Sequence, residues 1–199
     1  AEPENVDREG ILRGMYLVAP ASTDGLPEGA PRVQLLASGV GIEWALEAQE
    51  LLREDWGVAG DVWSVTSWNE LRRDGLACDE EAYLHPDREA PVPWVTQKLR
   101  DTEGPVIATS DWMRAVQDQI QEWVPGDFAS LGADGFGFSD TRPAARRFFH
   151  IDGPSMVAKA LQMPADQGKV PADSLAKAIE KYKLQDVTAG ASGNEGGES

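Results

Sequence analysis

Short apolar runs alternate along this chain with stretches whose apolar residues recur every three or four positions. The first kind predicts strands and the second predicts helices. Gly10 to Ala19 (GILRGMYLVA) and Arg32 to Ser38 (RVQLLAS) are runs of the first kind, with Gly14 weakening the earlier one. Asp61 to Thr66 (DVWSVT) is rich in β-branched residues and predicts a third strand; Gly104 to Thr109 and Phe128 to Leu131 predict two more.

The helical pattern is clearest from Ile42 to Trp56, where Ile42, Ala45, Leu46, Ala48, Leu51 and Leu52 share one face and Gly57 and Gly60 end the element. Ser67 and Glu70 form a capping box for a short helix through Leu71. Trp94 to Arg100 and Ala144 to Phe149 predict short helices. Ser110 or Asp111 caps another running to about Val124. Asp152, with Pro154 in the first turn, starts a helix to about Met163. Asp173 to Leu184 is amphipathic, with Leu175, Ala178, Ile179 and Tyr182 on one stripe. Pro20 to Pro31 reads as an exposed connector, and Asp74 to Pro93 as a long irregular segment holding Cys78 and His85. Residues 187–199 are rich in Gly, Ser and Glu and predict a disordered tail.

Strands alternating with helices predict an α/β chain: three layers, α/β/α, around a mostly parallel sheet. There is no internal repeat and no shift of composition within residues 10–186, which predicts one domain there, with residues 1–9 as a boundary segment.

Composition narrows the partners. The chain has 199 residues and is 41% hydrophobic with seven Trp, enough for a sizeable core. No run of 18 apolar residues predicts a membrane span. The opening residues are polar and acidic and lack an initiating methionine, so they read as an internal boundary and not as a signal peptide. A net charge of −16 argues against nucleic acid, whose phosphates require clustered Lys and Arg. The acidic excess reads either as simple solubility or as a charged docking surface. A single cysteine, Cys78, excludes an internal disulfide and a multi-cysteine metal site, and suits a cytoplasmic location.

Candidate chemistry is sparse. Ala37 to Ala45 (ASGVGIEWA) sits where a dinucleotide fingerprint would lie, but Trp44 holds the position that close helix packing reserves for a small residue. It reads as a tight strand-to-helix turn. The two histidines, His85 and His150, lack metal-ligand spacing and read as structural, with His150 ending a helix behind Phe148 and Phe149. Cys78 and His85 are close in sequence, yet a nucleophile needs alignment that spacing does not give. The tryptophans read as core or domain-interface anchors.

The densest signal is Leu131 to Arg142, LGADGFGFSDTR, a strand end followed by a glycine-rich turn. Its DGFGFSD, together with EGILRGMY from Glu9, VQLLASG from Val33 and DVWSVTSWNELRRDG from Asp61, resembles the last domain of the homodimeric pyruvate dehydrogenase decarboxylating component. LHP at Leu84 and ATSDWM at Ala108 fall in the same order, and the wording has an actinobacterial flavour. The resemblance implies a transketolase C-terminal fold with a mixed five-stranded sheet, one strand antiparallel. It also implies that the full enzyme decarboxylates pyruvate on thiamine diphosphate and Mg²⁺, and acetylates the lipoyl group of a dihydrolipoyl acetyltransferase. Implied partners are the remaining domains of the enzyme, a second protomer in a homodimer and that acetyltransferase. The alternatives are a non-catalytic interaction module of the same fold and a segment of another thiamine enzyme such as transketolase.

That family holds its cofactor through a Gly-Asp-Gly turn with a downstream Asn. Asp-Gly pairs follow Thr23, Arg73 and Ala133, none of them Gly, and Asn194 is remote from Asp134. The expectation is that this segment alone binds neither cofactor nor metal, and that no catalytic residue maps onto it. Candidates for contacts with neighbouring domains are His85, Asp134, Gly135, Phe136, Gly137, Ser139, Asp140 and Arg142, because polar groups on a glycine turn are well placed to meet another surface. The other reading is a self-contained loop.

Overall fold

A computed structural model of the chain describes residues 7–166 and 168–192. The centre of its sheet is parallel: Arg32–Ala37 (β2), Ala59–Val65 (β3), Val106–Thr109 (β4) and Phe128–Leu131 (β5). Met15–Ala19 (β1) adds to β3 in the opposite direction, giving five strands in the order β1-β3-β2-β4-β5. The expected mixed α/β sheet is therefore present. Where β1 begins beside the end of β3, Thr66 N and Ser67 N both donate to Gly14 O, at 2.9 and 3.2 Å, and Met15 opposes Val65.

Strand side chains alternate between two cores. Val33, Leu35, Ala37, Val62 and Ile107 face the helices Gly41–Trp56 (α2), Gly153–Asp166 (α7) and Ser174–Lys181 (α8). Leu36, Trp63, Val65, Val106 and Ala108 face the other side. That side holds Arg8–Arg13 (α1), Trp68–Leu84 (α3), Trp94–Leu99 (α4), Arg114–Asp118 (α5) and a 3₁₀ turn at Gln121–Trp123. Helix Arg142–Phe148 (α6) packs with a 3₁₀ stretch at Val187–Ser192. Burial of both sheet faces explains why the central strands read as continuous apolar runs.

Four expectations change. Gly10 to Arg13 belongs to α1 and not to the first strand: Asp7 Oδ1 accepts from Gly10 N at 2.8 Å, and Gly14, at φ 102°, closes the helix in the left-handed region. Asp74 to Leu84 is helical, because α3 continues from its Ser67 cap for 17 residues. Its buried face is only Trp68, Leu71 and Gly75, so it lacks the apolar repeat that would have marked it. The predicted helix from Ser110 to Val124 is instead the five-residue α5 and the 3₁₀ turn, and the carboxylate at its start is Asp134 from another loop. Val187–Ser192 is a 3₁₀ stretch where a disordered tail was expected; residues 193–199, including Asn194, lie outside the described residues.

Candidate functional site

In a parallel sheet the loops that follow the strands leave at one end, and that end is where such folds meet ligands and partners. Here those loops are Ser38 to Val40 after β2, Ser110 to Met113 after β4, and Gly132 to Thr141 after β5. Internal bonds brace them. Trp68 Nε1 donates to Ser38 Oγ at 3.0 Å, Trp112 N to Ser110 Oγ at 3.1 Å, and Gln117 Nε2 to Ser110 Oγ and to Leu131 O. Four apolar side chains are exposed on them, Val40, Trp112 at 65%, Met113 and Phe136 at 97%, beside the exposed polar Asp111, Asp134, Ser139 and Asp140.

Gly132 lies against the preceding loop: a Cβ there would sit 2.5 Å from Trp112 O, and Ala133 N donates to that same oxygen at 2.9 Å. The close approach brings Asp134 over the start of α5. Its Oδ1 accepts from Arg114 N at 2.9 Å and its Oδ2 from Arg114 Nε. The hydrogen bonds from the guanidinium and from the backbone amide hold the Asp134 carboxyl below its usual range. The far side of the loop is fixed by Phe138, stacked on Phe148 with centroids 4.3 Å apart, and by Thr141, which caps α6. Phe136 therefore projects from a loop anchored at both ends.

The expected site residues divide into two groups. Asp134, Gly135, Phe136, Gly137, Ser139, Asp140 and Arg142 share this loop and the first turn of α6. Ser139, Asp140 and Arg142 are exposed, and Asp140 Oδ1 accepts from Thr141 N at 2.7 Å. His85 is elsewhere. It ends α3, about 25 Å of helix away from Ser67, and its Nε2 stands 3.6 Å from Glu81. No hydrogen bond or ion pair among the described residues joins His85 to the loop. Cys78, half-buried on α3, has its thiol pushed up by burial and by Asp74 and Asp79, the reverse of an activated nucleophile. His150, at φ 54°, closes α6: His150 N donates to Arg147 O and Ile151 N to Arg146 O.

The four Asp-Gly pairs do not fit a magnesium diphosphate: Asp152, the one outside the sequence expectation, is taken by Arg147 Nε and by Ser155 N at the start of α7. Asp74 accepts from Arg13 Nη2 and Trp94 N, and Gly75 is inside a helix against Trp123. Asp134 is taken by Arg114, and Asp24 lies on the exposed connector. Among the described residues no three of His, Cys, Asp and Glu converge as metal ligands, and no helix is long and apolar enough to cross a membrane.

Sequence reasoning missed Trp112, Met113 and Arg114 as parts of this face. Their signal was the short ATSDWM stretch, whose Trp112 carbonyl accepts from Ala133 N across the close approach of Gly132.

Residues 14–152 match the family described as the transketolase-like TK C-terminal domain. The "Pyruvate dehydrogenase E1 component" of Mycolicibacterium smegmatis is 54% identical over 95% of this chain and 20% of its own length. That of Mycobacterium tuberculosis is 51% identical over 94% of this chain and 20% of its own. The Escherichia coli K12 protein of the same name is 37% identical over 92% of this chain and 20% of its own. The chain thus spans about a fifth of the length of the curated relatives it matches. Among solved structures, Campylobacter jejuni transketolase superposes with a TM-score of 0.51 at 20% identity, over 81% of this chain and 20% of that one. A Pichia stipitis transketolase complex with sedoheptulose 7-phosphate gives 0.53 at 18% identity, over 85% of this chain and 21% of that one. At such identity the two structures share the fold.

Proposed function

Because the chain belongs to the transketolase-like C-terminal domain family, we propose that it is the C-terminal domain of a pyruvate dehydrogenase E1 component and docks the rest of that enzyme through its glycine loop. The observation that carries this reading is the pair of exposed rings, Trp112 and Phe136, held on braced loops at the carboxyl end of the sheet. Aromatic side chains fixed on a rigid frame lose little conformational freedom on contact, which is why they anchor interfaces. The identity to E1 components over nearly the whole chain favours pyruvate chemistry over that of transketolases, which share the fold at low identity.

In this reading the complete polypeptide is a cytoplasmic homodimer that decarboxylates pyruvate and passes the acetyl group to the lipoyl arm of a dihydrolipoyl acetyltransferase. Thiamine diphosphate with Mg²⁺ supplies the bond-breaking chemistry and is held by other parts of the enzyme. The contribution of this domain is positional: it completes the dimer and supports the site from outside. Residues 10–186 act as one unit in that role.

The test is to replace Trp112 and Phe136 by Ser in the whole polypeptide and to measure pyruvate turnover and dimer dissociation. A loss of at least about tenfold in each is expected for two interface anchors. Unchanged turnover and association would overturn the docking role. Turnover of sugar phosphates in place of pyruvate would overturn the enzyme assignment. Titrating thiamine diphosphate and Mg²⁺ into this chain alone is expected to give no heat of binding, and saturable Mg²⁺-dependent heat would refute the location of the cofactor.

A further inference from the structure

A cavity of about 530 Å³ opens between α7, α8, the end of α6 and the segment after α8. That volume lies within the range of small-molecule sites, roughly 300–1,000 Å³. Its walls are mostly apolar, with Phe148, Ile179 and Leu184 among the lining residues.

Its polar lining residues are His150, Ser155, Lys159, Gln162 and Gln185. Ser155 is only 4% exposed, lines the cavity, and its Oγ has no hydrogen-bond partner. A buried hydroxyl without a partner is unfavourable until one is supplied. Lys159 is four residues further along α7 and so on the same face. Its Nζ is held 3.0 Å from Gln162 Oε1. His150 lines the cavity from the end of α6. No Asp or Glu is among the described residues that line it, although the chain carries a net charge of −16.

A mostly apolar, open cavity with one ammonium, one unpartnered hydroxyl, two amides, an imidazole and no carboxylate among its lining residues fits a ligand with a hydrocarbon body and a single anionic end. We infer that this cavity binds a medium-chain monocarboxylate, its tail among Phe148, Ile179 and Leu184 and its carboxylate at Lys159 and Ser155. The Lys159 charge supplies attraction for the anion, and the Ser155 hydroxyl gains its missing partner. Nothing in the docking face is needed for this, since Trp112, Met113 and Phe136 do not line the cavity.

The probe is octanoate, titrated into the full chain and followed by calorimetry and amide NMR shifts. Saturable one-site binding is expected, with shifts on α7 and α8. Lys159→Met is expected to weaken it about tenfold or more, Ser155→Ala by about threefold to tenfold, and Lys159→Arg to retain it. Octylammonium, with the same tail and opposite charge, is expected not to compete. Absence of saturable binding would overturn the site. Equal binding of octylammonium, or binding unaltered in Lys159→Met, would overturn the carboxylate class.

Discussion

Arg147 Nε donates to Asp152 Oδ2 at 2.6 Å, and both side chains are almost wholly buried, at 5% and 12% exposure. The pair joins three helix ends. Asp152 Oδ1 caps α7 by accepting from Ser155 N at 3.0 Å, while Arg147 Nη1 donates to Tyr182 O and Lys183 O where α8 closes. A guanidinium at the last carbonyls of one helix and a carboxylate at the first amides of another each complement a helix dipole.

Arg147→Ala leaves Asp152 buried without its cation. Removing one partner of such a pair costs about 3–5 kcal/mol. Its neighbour Arg146 lies 5.1 Å from the Trp44 ring and is less buried, so Arg146→Ala is expected to cost about 0.5–1 kcal/mol. Urea unfolding of the two variants checks the contrast. Equal small losses would show that the pair is not holding the helix ends together.

Gly75 offers a second test. In an exposed helix, Gly→Ala adds about 1 kcal/mol of stability. Here the new Cβ would stand 2.4 Å from the Trp123 ring, whose Nε1 donates to Asp79 at 3.0 Å. Overpacking of this kind costs about 1–3 kcal/mol. The expected outcome of Gly75→Ala is a net loss of about 1–2 kcal/mol, with altered Trp123 fluorescence. A more stable variant would contradict the close packing.

Tyr182 predicts a response to alkali. Its hydroxyl donates to Asp55 Oδ2 at 2.7 Å and accepts from Trp56 Nε1 at 2.9 Å. Burial first, then the bond to Asp55, raise its pKa above the ordinary 10.0. The folded state therefore keeps its proton where the unfolded chain has lost it. The stabilisation is whole below about pH 10 and declines as pH rises beyond that value. Melting temperature is expected to fall more steeply above this point in the native chain than in Tyr182→Phe, and parallel profiles would refute the assignment.

Asp134 predicts a change at the other extreme. Its carboxyl is held below the ordinary 3.8 by Arg114, so the contact is complete above that value and is lost as acid protonates the group. Asp134→Ala is expected to speed hydrogen exchange at the Arg114 amide at neutral pH, while amides of β4 keep their protection. Unchanged exchange at Arg114 would mean that the loop is held by Gly132 and Phe138 alone.

Local signals carried much of the fold. Ala45, Ala48 and Leu52 of α2 and the β-branched run of β3 identified themselves because burial on a sheet imposes a period, although Leu46 of the same pattern is exposed and the buried Trp44 lay outside it. The caps at Ser67 and Asp152 were likewise legible, since a cap is a contact over three residues. What escaped was non-local or weakly apolar. Ile11 and Leu12 look like strand residues but are exposed on α1, and Leu12 is 79% exposed. The end of α3 has no buried stripe, and α5 begins at a carboxylate twenty residues away. For the candidate site, the glycine loop was visible as a cluster. The Arg114 clamp was not, and His85 was grouped with a loop that α3 carries it away from.

The antiparallel β1 has one more consequence. Because Met15 pairs with Val65, the polypeptide joins the sheet at the end where the parallel strands finish. A domain attached ahead of α1 is therefore tethered on the side that carries Trp112 and Phe136. A short tether raises the effective concentration of one surface at another to the millimolar range. On the proposed docking role, a patch of a few rings would need little intrinsic affinity to hold a neighbour that is never far away.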